Sequence, residues 1–146
     1  MGSCYKLRAY YSSQGYISHM GTYAYTSRYS RRNVWRIVKG IDGTRNSITL
    51  KDRRNRYGMM TSGYRARFYW NKDLKKTRSA FYVMKGLAGR GISLMPTRKY
   101  GYFLRDSSTR SYSTKMRVSR YKRRWSFKTS ATWIPIKTRC WSICML

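Results

Sequence analysis

The same pattern of residues occurs three times in this chain, at intervals of 43 and 44 residues. Each copy begins with a leucine anchor and carries a polar residue twelve positions later. The anchors are Leu7, Leu50 and Leu94, and the polar residues are His19, Ser62 and Asp106. A unit of this size cannot bury its own apolar face, so each copy must pack against the others. The period therefore predicts one domain with pseudo-threefold symmetry.

The local pattern predicts strands rather than helices. Short runs rich in aromatic and β-branched residues, such as 80–84 and 102–104, alternate with turn signals such as Asp42-Gly43. No window of twelve residues keeps a helical apolar period without a turn residue inside it. We therefore predict an all-β chain of about twelve strands in three equal blocks, the arrangement of a β-trefoil.

The predicted domain covers the whole chain, and each repeat spans about 45 residues. The single domain is 1–146, with repeats at about 4–45, 46–90 and 91–135 and a closing tail at 136–146. The shared core should hold the three leucine anchors and one aromatic residue from each repeat. Those aromatic residues are Trp35, Phe81 and Trp125.

Charge separates this chain from an ordinary small domain. It has 33 lysine and arginine residues against four acids, and its formal net charge is +29 at pH 7. The acids are Asp42, Asp52, Asp73 and Asp106. A compact body with this charge repels itself, and solubility alone needs a net charge of only about 2–8. The imbalance predicts a polyanionic partner, and the 21 arginines suit sulfate, phosphate and carboxylate groups.

The same composition argues against catalysis and against a bound metal or cofactor. General acid–base chemistry needs paired carboxylates or a placed histidine, and the chain has scattered aspartates and the single His19. Three cysteines and one histidine do not show the paired spacing of a structural zinc site. We therefore expect a protein that is not an enzyme, with no catalytic residue, no metal and no cofactor.

The cysteines stand near the two ends of the chain, at Cys4, Cys140 and Cys144. Because the ends of a closed trefoil meet, Cys4 could form a disulfide with Cys140 or with Cys144, and three buried free thiols are the alternative. No apolar run is long enough to span a membrane. No secretory signal is visible near Met1, but a basic domain with terminal cysteines is expected to be secreted.

Residues 85–94 and 99–106 resemble the arabinose-binding domain attached to fungal and bacterial α-L-arabinofuranosidases. The resemblance is carried by the glycine turn Lys85-Gly86-Leu87-Ala88-Gly89 and by the strand Tyr102-Phe103-Leu104-Arg105-Asp106, and it extends over all three repeats. It implies a β-trefoil, in agreement with the period. In that family each repeat binds an arabinofuranose through the histidine of a Tyr-Leu-Arg-His motif and the aspartate of an Asp-Ala-Thr-Phe motif.

Matched residue by residue, the resemblance implies a change in the chemistry of the pockets. The histidine position falls on His19, Ser62 and Asp106, and the aspartate position falls on Arg32, Arg78 and Lys122. A lysine or arginine cannot accept a hydrogen bond from a sugar hydroxyl, so the pockets should capture anions, and arabinose binding is conceivable in repeat one alone. The candidate ligand-binding residues are Arg32, Arg78, Lys122 and His19, with the neighbouring Arg31, Lys76, Arg123 and Arg124.

These features favour a non-catalytic, lectin-like, extracellular protein that binds an acidic or sulfated polysaccharide such as heparin. Two alternatives stay open. Fifteen tyrosines beside 33 bases would also suit a structural or adhesive matrix protein that assembles with itself. Bases interleaved with aromatic residues, as in 64–70, would suit a nucleic-acid-binding protein, although any chain of this charge binds nucleic acid non-specifically.

Overall fold

The computed structural model describes residues 3–29, 31–107 and 115–141, and within them each repeat contributes four strands. The first repeat holds β1 (Ser3–Ala9), β2 (Tyr16–Met20), β3 (Tyr23–Ser27) and β4 (Trp35–Lys39). The second holds β5 (Ser47–Asp52), β6 (Tyr57–Ser62), β7 (Arg65–Trp70) and β8 (Phe81–Lys85). The third holds β9 (Ile92–Pro96), β10 (Tyr102–Asp106), β11 (Met116–Arg120), helix α1 (Trp125–Ser130) and β12 (Trp133–Thr138). The last strand thus ends beyond residue 135, where the third repeat was predicted to stop.

Six of the strands close into a barrel. β1 pairs with β4, β4 with β5, β5 with β8, β8 with β9, β9 with β12, and β12 with β1, and every pair is antiparallel. The other six strands form three hairpins, β2–β3, β6–β7 and β10–β11. The hairpins are joined to one another because β7 pairs with both β3 and β11. Closure of the barrel removes the free sheet edges that would otherwise invite aggregation.

The apolar core is shared by all three repeats. The three leucine anchors are fully buried, as the repeat pattern predicts, and one fully buried aromatic ring from each repeat packs in the same cluster. These rings belong to Trp35, Phe81 and Trp133. The indole N–H of Trp35 donates to the carbonyl oxygen of Ile17 at 2.8 Å, and that of Trp133 donates to Leu104 at 3.2 Å. These bonds satisfy buried donors and tie the barrel to equivalent hairpins in repeats one and three.

The predicted core position of Trp125 is wrong. Trp125 begins helix α1 and is 55% exposed, whereas Trp133 fills the aromatic position of the third repeat. The helix turns Phe127 inward instead, into a small cluster with Met95 and Phe103. Six residues carry too little periodic signal to reveal a helix, which is why the sequence pattern missed it.

No helix of the described residues is long and apolar enough to cross a membrane.

A disulfide joins the two ends of the described chain. β1 and β12 pair along their whole lengths, which brings Cys4 beside the residues that follow Thr138. Cys4 and Cys140 form the disulfide, with their Cα atoms 5.2 Å apart and a sequence separation of 136. Cys144, the other predicted partner, lies outside the described residues.

Candidate functional site

The first repeat brings its two predicted binding positions together. His19 lies on β2 and Arg32 in the loop before β4, and the backbone N–H of His19 donates to the carbonyl oxygen of Arg32 at 3.1 Å. The imidazole ring packs against Trp35 and Tyr57, with ring centroids 5.4 and 5.5 Å apart. His19 is therefore a half-buried residue beneath an aromatic cluster, and Arg32 stands exposed beside it.

A rigid turn of the second repeat faces the same space. Asp52, at the end of β5, is buried, and its Oδ1 accepts the backbone N–H groups of Arg56 at 2.6 Å and Tyr57 at 2.9 Å. Asn55 adopts a left-handed conformation, with φ of 60°, and its N–H donates to the Asp52 carbonyl oxygen at 2.8 Å. Aspartate side chains commonly fix turns in this way. We name residues 53–56 the arginine turn, because three of its four members are arginines.

These elements enclose a surface cavity of about 320 Å³, which we name the arginine cleft. It is lined by His19, Arg31, Arg32, Val34, Asp52, Arg53, Arg54, Arg56 and Tyr57. Five of the nine lining residues are arginines and one is an acid. The Asp52 carboxylate already accepts two backbone N–H groups, so the guanidinium groups dominate the chemistry of the cleft. Guanidinium groups bind carboxylate, sulfate and phosphate through paired, charge-assisted hydrogen bonds.

The surroundings of His19 favour its neutral form. Burial lowers the pKa of His19 below its ordinary value of 6.5, and the positive charge of Arg32 acts in the same direction. A hydrogen bond to the Gly21 carbonyl oxygen and the charge of Asp52 oppose this effect without reversing it. In that state Nδ1 carries the proton and donates to the Gly21 carbonyl oxygen at 3.4 Å. The arginine cleft thus has a neutral, titratable ring among its cations.

The second repeat does not build a matching cleft from its predicted residues. Lys76 and Arg78 lie exposed on a short 3-10 turn, Lys76–Arg78, and neither lines the arginine cleft. The histidine position is shifted by one residue: Thr61, rather than Ser62, pairs with an alanine across its hairpin as His19 does. The buried Thr61 hydroxyl donates to the Arg78 carbonyl oxygen at 3.3 Å. Neighbouring strand residues face opposite sides, so this shift turns Ser62 outward.

The third repeat departs further from the predicted pattern. With Trp133 as the core aromatic, the position equivalent to Arg32 is Ser130, and Lys122 is not equivalent to it. Lys122, Arg123 and Arg124 lie exposed on the segment that leads into α1. The cavity beside Ser130 contains no base in its lining, which is Tyr11, Gln14, Trp125, Ser126, Thr129 and Ser130. The three predicted bases therefore do not form three equivalent anion subsites.

Asp106, at the histidine position of the third repeat, contributes to the fold. It is almost fully buried, and its Oδ2 accepts the hydroxyl of Thr26 at 2.9 Å. Its Oδ1 forms an ion pair with Lys115 at 3.4 Å. These contacts link the hairpins of the first and third repeats. Among the described residues, no group of three or more histidine, cysteine, aspartate or glutamate side chains could hold a metal ion.

No protein-family model and no curated protein matches the sequence, but solved structures share its fold. An arabinofuranosidase complexed with arabinofuranosyl-α-1,2-xylobiose is 16% identical, with a TM-score of 0.76 over 93% of this chain and 31% of that chain. The Rhizoctonia solani agglutinin is 14% identical, with a TM-score of 0.66 over 94% of this chain and 96% of that chain. The β-trefoil BEL is 11% identical, with a TM-score of 0.69 over 94% of each chain.

The chain is a β-trefoil. The predicted fold is therefore confirmed, and so is the predicted likeness in fold to the arabinofuranosidases. The trefoil spans about a third of the arabinofuranosidase chain that it matches, since it covers 31% of that chain. Identities this low establish a common fold, and function must be argued from the site.

Sequence reasoning missed the arginine turn. The signal was present as the run Arg53-Arg54-Asn55-Arg56, which follows the strand of the Leu50 anchor. The repeat pattern assigned each site to one repeat, whereas the trefoil assembles its cleft from two. Tyr57 was missed for the same reason, because it begins β6 of the second repeat and packs on a histidine of the first.

Proposed function

We propose that this trefoil is a non-catalytic, lectin-like protein that binds acidic or sulfated polysaccharides outside the cell through its arginine cleft. The observation that carries the proposal is the gathering of five arginines from two repeats around one cavity. In a chain of net charge +29, such a cavity concentrates positive potential at one place on the surface. Sulfate and carboxylate groups of a polysaccharide are complementary to it in charge and in hydrogen-bond geometry.

The fold supports a sugar ligand by analogy. The structural neighbours include an agglutinin and an arabinofuranosidase complexed with an arabinofuranosyl xylobiose. The same scaffold with acceptor groups in its pockets would suit neutral hydroxyls, whereas Arg31 and Arg32 supply donors alone. An anionic sugar polymer therefore combines the ligand class of the neighbours with the chemistry of this cleft.

Two further observations support this proposal over nucleic-acid binding. The run at 64–70, which suggested nucleic-acid binding, is largely strand β7, and its Ala66 and Phe68 are buried in the core. Its alternation of bases and aromatic residues therefore reflects the inward and outward faces of a strand, rather than a platform for stacking nucleic-acid bases. The disulfide between Cys4 and Cys140 is a bond that persists in oxidising, extracellular surroundings.

The test compares glycans and matched variants. We expect sulfated and carboxylated polysaccharides to bind, and uncharged ones of equal length not to bind, in calorimetric titrations at low and moderate salt. The cleft variant carries Arg32→Gln, Arg54→Gln and Arg56→Gln. The control carries Arg45→Gln, Lys75→Gln and Arg120→Gln at exposed positions that do not line the cleft. Both variants lower the formal charge from +29 to +26.

The expected result is a loss of at least about tenfold in affinity for the cleft variant, equivalent to roughly 1.4 kcal/mol, and little loss for the control. Equal losses would mean that overall charge, and no particular site, governs binding. Equally tight binding of uncharged glycans would contradict the proposed ligand class. Melting curves of both variants establish that each is folded before the titrations are compared.

A further inference from the structure

Two more clefts continue the arginine cleft, one from each end of the arginine turn. The first shares Arg53 with the arginine cleft and adds Lys6, Arg139 and Trp141, and we name it the tail cleft. The second shares Arg56 and adds Trp70 and Lys72, and we name it the Trp70 shelf. The arginine turn therefore has a tryptophan at each of its ends.

Trp141 is held against the arginine turn. The guanidinium groups of Arg53 and Arg54 lie 5.6 and 5.5 Å from the centre of its ring, which is the geometry of a cation–π contact. Trp141 directly follows Cys140, and the disulfide to Cys4 anchors it to β1. Its side chain nevertheless remains 41% exposed. The ring is thus positioned by the protein and still open to a ligand.

Trp70 is fixed at the other end by a separate set of bonds. Its ring lies 4.1 Å from that of Tyr57, between centroids. The next residue, Asn71, donates its backbone N–H to the Arg56 carbonyl oxygen at 2.9 Å and its side-chain amide to the Asn55 carbonyl oxygen at 2.8 Å. Lys51 donates to the other side of the same amide. These bonds connect the shelf rigidly to the arginine turn, while Trp70 stays 46% exposed.

From these contacts we propose that the tail cleft, the arginine cleft and the Trp70 shelf form one track for an extended anionic polysaccharide. Sugar rings stack on Trp141 and Trp70, because the C–H face of a pyranose is apolar and packs on an indole. The sulfate or carboxylate groups between them bind the guanidinium groups of the arginine turn. This inference rests on the proposed function and adds how the chain is held, by stacking on two tryptophans as well as by the arginines between them.

The layout of the track favours a polysaccharide over single-stranded nucleic acid. A nucleic-acid platform stacks successive bases on successive aromatic rings. Here the two tryptophans are separated by a stretch whose exposed groups are guanidiniums, while the intervening aromatic, Tyr57, already packs against Trp70 at a tilt of 34°. A sulfated or carboxylated polysaccharide carries anionic groups along its length, which suits cations in the middle and flat apolar faces at the ends.

The experiment measures affinity against ligand length for the full chain and for tryptophan variants. The probes are size-defined heparin oligosaccharides, from disaccharide upward, in calorimetric titrations at moderate salt, with a single-stranded oligonucleotide of matched charge as the comparison. The variants are Trp70→Ala, Trp141→Ala and Trp141→Phe. Trp125→Ala is the control, because Trp125 is at least as exposed as Trp70 and Trp141 but lies in the third repeat, away from the track.

We expect affinity to rise with length and each alanine change in the track to weaken long oligosaccharides by about tenfold, or roughly 1.4 kcal/mol, with little effect on the disaccharide. Trp141→Phe should retain most of the affinity because it keeps an aromatic face, and Trp125→Ala should change nothing. The track is refuted if the track variants bind long oligosaccharides as Trp125→Ala does. It is also refuted if the oligonucleotide binds more tightly and with the same tryptophan dependence. Neither result would refute the role of the cleft arginines, which the glutamine variants test separately.

Discussion

At the scale of single residues, the arginine cleft combines five arginines with one histidine. The arginines stay charged at all physiological pH values, so they attract anions without regulation. His19 differs because burial lowers the pKa of its ring and favours the neutral form. Bringing an anion into the cleft stabilises the protonated form of the ring, so ligand binding and protonation of His19 should be coupled.

The first prediction concerns this coupling. In the free protein the pKa of His19 is lowered, so its contribution to stability is complete above pH 6.5 and is lost as the pH falls through the native value. Because a bound sulfate raises that pKa, the affinity for a sulfated oligosaccharide should increase as the pH falls from about 7.5 to about 5. The measurement is a series of calorimetric titrations. His19→Gln should flatten the increase, and a wild-type affinity independent of pH would contradict the coupling.

The second prediction separates the three bases that the sequence treats as equivalent. Arg32→Asp, Arg78→Asp and Lys122→Asp each lower the formal charge from +29 to +27. Arg32 alone among them lines the arginine cleft, so its reversal should weaken heparin binding by about tenfold more than the other two. Heparin affinity chromatography and titration measure the difference. Equal losses for all three would mean that overall charge, rather than the arginine cleft, governs binding.

At the scale of elements, the third repeat shows how an insertion displaces a pattern. Helix α1 lies between β11 and β12, where the first repeat has no helix and the second has only short 3-10 turns. The extra residues of this repeat, in the β10–β11 hairpin as well as before β12, move the core aromatic to Trp133 and leave Trp125 on the surface. Lys122 loses its equivalence with Arg32 as a direct result. The fourth strand of the barrel is kept, because its pairing with β1 and β9 closes the sheet.

The third prediction tests whether Trp133, rather than Trp125, is the core aromatic of the third repeat. Trp133→Phe removes the indole N–H that donates to Leu104 and leaves a small void in the core, so it should cost about 1–3 kcal/mol of stability. Trp125→Phe changes an exposed ring and should cost less than about 0.5 kcal/mol. Urea unfolding curves supply both values. A larger loss at Trp125 than at Trp133 would show that the core aromatic is misassigned.

At the scale of the whole molecule, a closed barrel must stay folded against the repulsion of a net charge of +29. The described residues form a core common to all three repeats, and the disulfide ties the first strand to the segment after the last. Both oppose the repulsion among the bases. Ligands that neutralise the bases act in the same direction.

The fourth prediction concerns the disulfide. Closing a loop across 136 positions restricts the unfolded chain, so Cys140→Ser should lower stability by about 3–5 kcal/mol. A reducing agent should lower the stability of the wild type by a similar amount and have no further effect on the variant. Unfolding curves with and without reductant provide the measurement. If Cys140→Ser stays stable and still responds to reductant, Cys4 pairs with Cys144 instead.

The fifth prediction concerns charge. Added sodium chloride should raise the melting temperature of the free protein, because it screens repulsion among the bases. Heparin should raise the melting temperature further, since a ligand that binds the native state alone stabilises it by mass action. That additional gain should shrink as salt increases. A melting temperature that heparin leaves unchanged at low salt would contradict polyanion binding.

The sequence by itself determined the architecture of this protein, and its charge predicts the class of partner proposed above. The anchors Leu7, Leu50 and Leu94 recur at a nearly constant interval, and all three are fully buried in one core. A periodic core is readable because each repeat must solve the same packing problem. The excess of bases over acids is likewise a property of composition, and it implies a polyanion whatever the fold.

Only the tertiary structure placed the candidate site. The arginine cleft joins His19 and Arg32 of one repeat to the arginine turn of the next, and the contact between repeats depends on how the barrel closes. The hairpin register was also needed to show that Thr61, rather than Ser62, occupies the histidine position of the second repeat. A shift of one residue along a strand turns the side chain to the opposite face of the sheet. Trp141 reaches the arginine turn because a disulfide joins the chain ends, a contact that no local pattern encodes.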